Sequence, residues 1–171
     1  MDSPGPRVRI EFAKRALLAA FFAFACGRRA EMREIANAPW FTALPPCEAP
    51  APVDMSGWQK LRAMGRGITF KAPPGFEPVK VHYPEGGAMW SRGNADLVLR
   101  YGRWNEYAFS AIDRKCRAVV DEMPVVEMTV PAGDGTFEQA WFVAHDMLLR
   151  LKSGDPKDAK LFPAIVASAD R

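Results

Sequence analysis

The sequence predicts an α+β domain, an antiparallel sheet of about six or seven strands with a C-terminal helix packed on it. Two observations carry that expectation. Short apolar runs, alternating or β-branched, recur between residues 68 and 152, and Gly, Pro, Asp or Asn close most of them. Beyond them, Leu161, Ile165 and Ser168-Ala169 return at helical spacing near the end of the chain.

The elements follow in order. Ile68 and Phe70 alternate with Thr69 and Lys71, and Pro73-Pro74-Gly75 ends that run. Val79, Val81 and Tyr83 share one face of a strand, with Lys80 and His82 on the other, up to the turn Pro84-Glu85-Gly86-Gly87. Ala88–Arg92 and Ala95–Tyr101 are strands on either side of Gly93-Asn94. Arg103–Lys115 fits a loop or a short helix. Cys116–Val120 and Val125–Val130 are β-branched runs, and Pro131-Ala132-Gly133-Asp134-Gly135 is a turn. Phe137–Ala144 and Met147–Lys152 read as a hairpin about His145-Asp146, or as one strand with a bulge. The last helix is expected to start near Lys160–Leu161, because Pro163 is tolerated in a first turn and costs roughly 3 kcal/mol further in.

The N-terminus carries a different signal. Lys14-Arg15 precedes an eleven-residue apolar run, Ala16 to Cys26, after which Gly27-Arg28-Arg29 returns to charge. A basic region, an apolar region and a small-residue exit are the parts of a secretory signal peptide. The run is too short to span a bilayer, which takes about 20 residues. Ala23-Phe24-Ala25 fits the pattern cut by ordinary signal peptidase. With Cys26 the same residues resemble a bacterial lipobox, whose cysteine becomes the lipid-carrying first residue. That reading gives Cys26 a role and is the one favoured. It implies an exported protein of the periplasm or cell surface, held to the membrane by lipid at Cys26. The chain then divides into a signal peptide (1–26), a proline-rich tether (27–57) and a single domain (58–171). Within the tether, residues 28–38 suit a short helix with Met32 and Ile35 as its apolar pair. Pro39, Pro45, Pro46, Pro50 and Pro52 favour an extended spacer after it.

Composition bounds the partners. Hydrophobic residues make up 49% and charged ones 25%, a balance that argues against bulk disorder. The net charge of +3 drops to +1 when residues 1–26 are set aside, because Arg7, Arg9, Lys14 and Arg15 outnumber Asp2 and Glu11 there. No later Lys/Arg block is long enough to track a phosphate backbone, so nucleic acid is not an expected partner. Of the three cysteines, Cys26 is assigned to the lipid and Cys47 and Cys116 are left as a pair in an oxidising compartment. A Cys47–Cys116 disulfide is expected, pinning the tether to the domain. Two free thiols are the alternative. The absence of Cys-x-x-Cys argues against a redox role.

Gly67-Ile68-Thr69-Phe70-Lys71-Ala72-Pro73-Pro74-Gly75-Phe76 resembles the opening of PsbP-like domains, and Leu161-Phe162-Pro163-Ala164-Ile165-Val166-Ala167-Ser168 is similar to that family's last helix. The resemblance covers residues 58–171. It implies an antiparallel sheet with a terminal helix, no catalytic signature, and binding of diverse partners. Many bacterial envelope lipoproteins share the layout.

Catalytic motifs are missing from the sequence. It has no Gly-x-Ser-x-Gly, no phosphate-binding glycine loop and no His-Glu-x-x-His. His82 and His145, with Asp146 or Glu127, have no spacing that builds a zinc site, and no metal or cofactor is expected. Asp121, Glu122 and Asp134 sit in turns, where acidic residues serve the backbone. Trp58, Trp90, Trp104 and Trp141 are numerous for a small core; they are expected to be the core itself, and the alternative is a binding face of Trp90, Trp104 and Trp141. The expected function is non-enzymatic: a lipid-anchored module that binds or helps assemble an envelope protein or ligand. The alternatives are a hydrolase-like envelope enzyme and a periplasmic carrier of small ligands.

Overall fold

A computed structural model describes residues 30–62, 68–84, 86–102, 114–132 and 135–170. The signal segment 1–26 with Cys26, the stretch 103–113 with Trp104, and Asp134 lie outside the described residues.

Residues 30–37 are helical (α1) and Pro39–Thr42 form a one-turn helix (α2). The strands are β1 (Gln59–Arg62), β2 (Thr69–Ala72), β3 (Glu77–Val79), β4 (Gly87–Arg92), β5 (Ala95–Tyr101), β6 (Arg114–Val120), β7 (Met123–Ala132), β8 (Gly135–Phe142) and β9 (Met147–Lys152). Helix α3 (Pro156–Ala167) follows. Seven strands form one antiparallel sheet in the order β3-β4-β5-β9-β8-β7-β6, and β1 pairs with β2 in a separate ribbon. The chain is α+β, with α3 against the sheet, as its apolar pattern predicts.

The register explains the core. Leu97 lies opposite Leu151, Leu99 opposite Leu149 and Tyr101 opposite Met147, while Phe142 pairs with both Met147 and Val125. Side chains alternate between faces, so these residues line one face together. Helix α3 and the β1–β2 ribbon bury that face, with Phe70 edge-on to Phe142 at 5.9 Å between centroids. Pro124 of β7 sits where a neighbouring strand has run out, beyond the end of β8.

Three expectations need correction. Helix α3 begins at Pro156, capped by Asp155, which accepts from the Lys157 N–H, so Pro163 lies inside it. A break there costs about 3 kcal/mol. Burying Phe162, Ile165 and Val166, at roughly 1.5–3 kcal/mol each, outweighs that cost and keeps the helix continuous. The stripe facing the sheet is accordingly Phe162, Ile165, Val166 and Ala169, and Leu161 stands beside it. Strand β3 stops at Val79. Its pairing with β4 ends at Val79↔Met89, and Val81 and His82 are exposed beyond it.

The third correction concerns the segment expected to be a spacer. Met32 is buried in the main core, and Phe41 is wholly buried against Val126, Met128 and Leu148 on the opposite face of the sheet. Past α2 the chain turns along β6. The Arg117 N–H donates to the Pro45 carbonyl at 2.8 Å, and the Cys47 N–H donates to the Arg117 carbonyl at 2.9 Å. Arg117 Nε reaches the Leu44 carbonyl at 3.0 Å. The prolines keep this piece extended, and an extended piece is what an edge strand can pair with. Strand β1 escaped notice in the sequence, since Gln59-Lys60-Leu61-Arg62 has one apolar residue and takes its conformation from β2.

Candidate functional site

Two places in the described residues gather chemistry: the outer face of the sheet and a cavity at its β6 edge.

On the outer face, Trp141 of β8 lies opposite Leu148 and Val126. Trp40, placed by the Pro39 start of α2, stacks on it at 6.1 Å with a 27° interplanar angle and is 48% exposed. Further along the sheet, Arg150 lies 5.0 Å and Lys152 Nζ 5.7 Å from the Phe137 ring, and Arg100 lies 5.5 Å from the Tyr83 ring. Alternation on β5, β8 and β9 puts Arg100, Phe137, Trp141, Arg150 and Lys152 on this one face. Aromatic rings beneath guanidinium and ammonium groups hold cations in fixed positions.

The proposed set of tryptophans does not share a face. Trp90 pairs with Leu97 and is buried in the main core, whereas Trp141 is on the other side of the sheet. Trp58 packs partly buried against the main core. Sequence reasoning passed over Trp40; its signal was Ala38-Pro39-Trp40-Phe41, a proline start followed by two aromatic residues that a single turn sends in different directions.

The second place is a cavity of about 530 Å³ that opens to solvent between the proline-rich arm (residues 30–57), the β6 edge and α3. Pro45 to Glu48, Lys115, Cys116, Glu127, Thr129, Glu138 and Pro163 line it. Cys47 and Cys116 are joined by a disulfide with Cα atoms 4.8 Å apart across 69 residues of sequence, so the expected pairing is present. Register sets Glu127 directly across from Cys116, and Thr129 across from Glu138. The Thr129 hydroxyl donates to Glu138 Oε2 at 3.0 Å. Burial, aided by the neighbouring Glu138 charge, raises the Glu127 carboxyl to about 7. At that value the Glu127 carboxyl is partly protonated near neutral pH. The sequence marks it as the one acid within Val125-Val126-Glu127-Met128, though nothing local points to Cys116.

The other candidates do not join either place. His82 is exposed beyond β3, and His145 is buried in the 3₁₀ turn Val143–His145 between β8 and β9. Among the described residues neither histidine belongs to a cluster of ligand atoms; the cluster found is Cys47, Cys116 and Glu127. Asp121 and Glu122 form the exposed two-residue turn between β6 and β7, both with positive φ (46° and 62°).

No family model matches the chain, and no curated protein matches it in sequence.

Proposed function

We propose that this chain is an exported envelope protein, anchored by lipid at Cys26, whose PsbP-like domain binds an acidic protein partner at the membrane surface without catalysing a reaction. The observation that carries the reading is the outer face: an exposed Trp40 stacked on Trp141, on the same side of the sheet as Arg100, Arg150 and Lys152 over aromatic rings. Trp, Tyr and Arg are the residues that dominate protein interfaces, and fixed cations select a partner of opposite charge. A lipid at Cys26 adds an orientation. Cys26 stands only 14 residues before Trp40 in the sequence, which keeps the Trp40 face near the bilayer and the proteins in it.

Site-specific photo-crosslinking in the producing cell tests this reading. A photoreactive residue at position 40 should give one discrete protein adduct in the membrane fraction, lost when Arg150→Glu is added. The same probe at Val79, on the far edge, should give none. Adducts to lipid alone, or equal adducts from both positions, reject the partner. An unlipidated cytosolic mass for the chain rejects the anchor.

A further inference from the structure

We propose that the Cys47–Cys116 bridge is a redox site, exchanging with a dithiol protein through the cavity at the β6 edge, with Glu127 as the proton donor to Cys116. The absence of Cys-x-x-Cys speaks against a redox site within one local segment, but this pair is brought together by the fold, and three features distinguish it from a bridge that only clamps. Both cysteines line a cavity of about 530 Å³ that opens to solvent, wide enough for an incoming sulfur. Both Sγ atoms lie within 4.8 Å of a Glu127 carboxylate oxygen. The fold around the bridge has other fastenings, since the Pro45–Cys47 hydrogen bonds to Arg117 and the buried Phe41 hold the arm when the sulfurs part.

The chemistry follows from which sulfur is fixed. A thiolate of the partner attacks Cys47 Sγ on the arm, forming a mixed disulfide. The Cys47–Cys116 bond breaks, and its electron pair goes to Cys116 Sγ, which takes the Glu127 proton. The partner's second thiolate then attacks its own sulfur in the mixed disulfide and releases Cys47 as a thiolate, which is protonated by solvent. Glu127 regains its proton from water. Two electrons and two protons pass to this chain, and the partner leaves as a disulfide. Oxidation runs the steps backwards, with the Glu127 carboxylate removing the Cys116 proton.

Surrounding charge makes the donor matter. Glu138 from β8 and Glu48 from the arm face the cavity against Lys115 of β6, while α3 contributes only the uncharged Pro163. A leaving thiolate at Cys116 would stand among carboxylates, which disfavours it. Glu127 is protonated up to about pH 7 because of burial first and Glu138 second, so it is loaded as a donor where the exchange is needed.

The test follows reduction of the oxidised full chain by dithiothreitol between pH 5.5 and 8.5, with alkylation and mass spectrometry counting free thiols. Taking the ratio of wild-type to Glu127→Gln rates removes the reductant's own ionisation. Glu127→Gln, which keeps the shape, should react about tenfold more slowly at pH 6, a modest share of what a placed acid contributes. The ratio should fall towards one above pH 8 and inflect near the Glu127 value of about 7. Glu138→Gln should move that inflection to lower pH, and it keeps the proposal testable if Glu127→Gln folds poorly. A ratio flat with pH, or reduction no faster than unfolding in every variant, overturns the proposal.

Discussion

Replacing Glu127 by Gln should make the protein more stable at alkaline pH than the wild type is, relative to acid pH. The carboxyl is raised from 4.5 to about 7 in the folded chain, so between those values the folded state holds a proton that the unfolded state has lost. Stability from this group is therefore complete below about pH 4.5 and is lost as pH rises through 7. At about 1.36 kcal/mol per pH unit the full effect is about 3 kcal/mol. Glu127 lines an open cavity, and screening by water reduces the expected change to about 2 kcal/mol. The glutamine side chain does not titrate, so the stability gap between the proteins should shift by that amount from pH 4.5 to 8.5. Urea unfolding of both oxidised proteins at several pH values measures it, since all other titrating groups cancel in the difference. A gap constant to within about 0.5 kcal/mol, near the limit of such extrapolations, refutes the reasoning. Adding Glu138→Gln should leave most of the shift, because burial is the larger cause.

Further outcomes are expected elsewhere. Cys47→Ser with Cys116→Ser opens a loop closed over 69 residues and should lower stability by about 4 kcal/mol in the chain-entropy account, read by urea unfolding with and without reductant. Phe41→Ala, at a wholly buried position, should cost about 3–5 kcal/mol, and deleting residues 30–47 should cost at least as much; a deletion that unfolds like the intact chain would show that the arm is not part of the fold. Gly87→Ala should destabilise measurably in a thermal melt, since a Cβ there meets the Leu99 carbonyl oxygen and comes within 2.8 Å of the Tyr83 ring.

Much of the fold was legible because its signals are local. Ala95–Tyr101, with Leu97, Leu99 and Tyr101 on one face, is β5 to the residue, and the hairpin about His145-Asp146 forms where the apolar runs on either side predict it, closed by Asp146 at φ 45°. The Cys47–Cys116 pairing followed from counting cysteines once Cys26 was given another role. Helix α3 shows the limit of local rules. The rule for Pro163 was sound as an energy, but it was weighed without the burial of Phe162, Ile165 and Val166 against the sheet, which is the larger quantity.

The candidate sites were harder to read for the same reason. Trp90 and Trp141 look alike in sequence, yet strand register sends one into the core and the other to the outer face, and register depends on which strands pair. Glu127 and Cys116 become neighbours only through the pairing of β6 with β7, and Cys47 joins them from an arm 69 residues away. The sequence by itself determined most of the strands and turns and favoured the sulfur pairing, because alternation, turn chemistry and the cysteine count are written within or between short segments, whereas β1 and the end of β3 depend on their partners. Only the tertiary structure decided that the proline-rich arm is part of the fold and that a half-buried acid with a raised pKa faces the disulfide. Those follow from burial and sheet register, which depend on the whole chain at once.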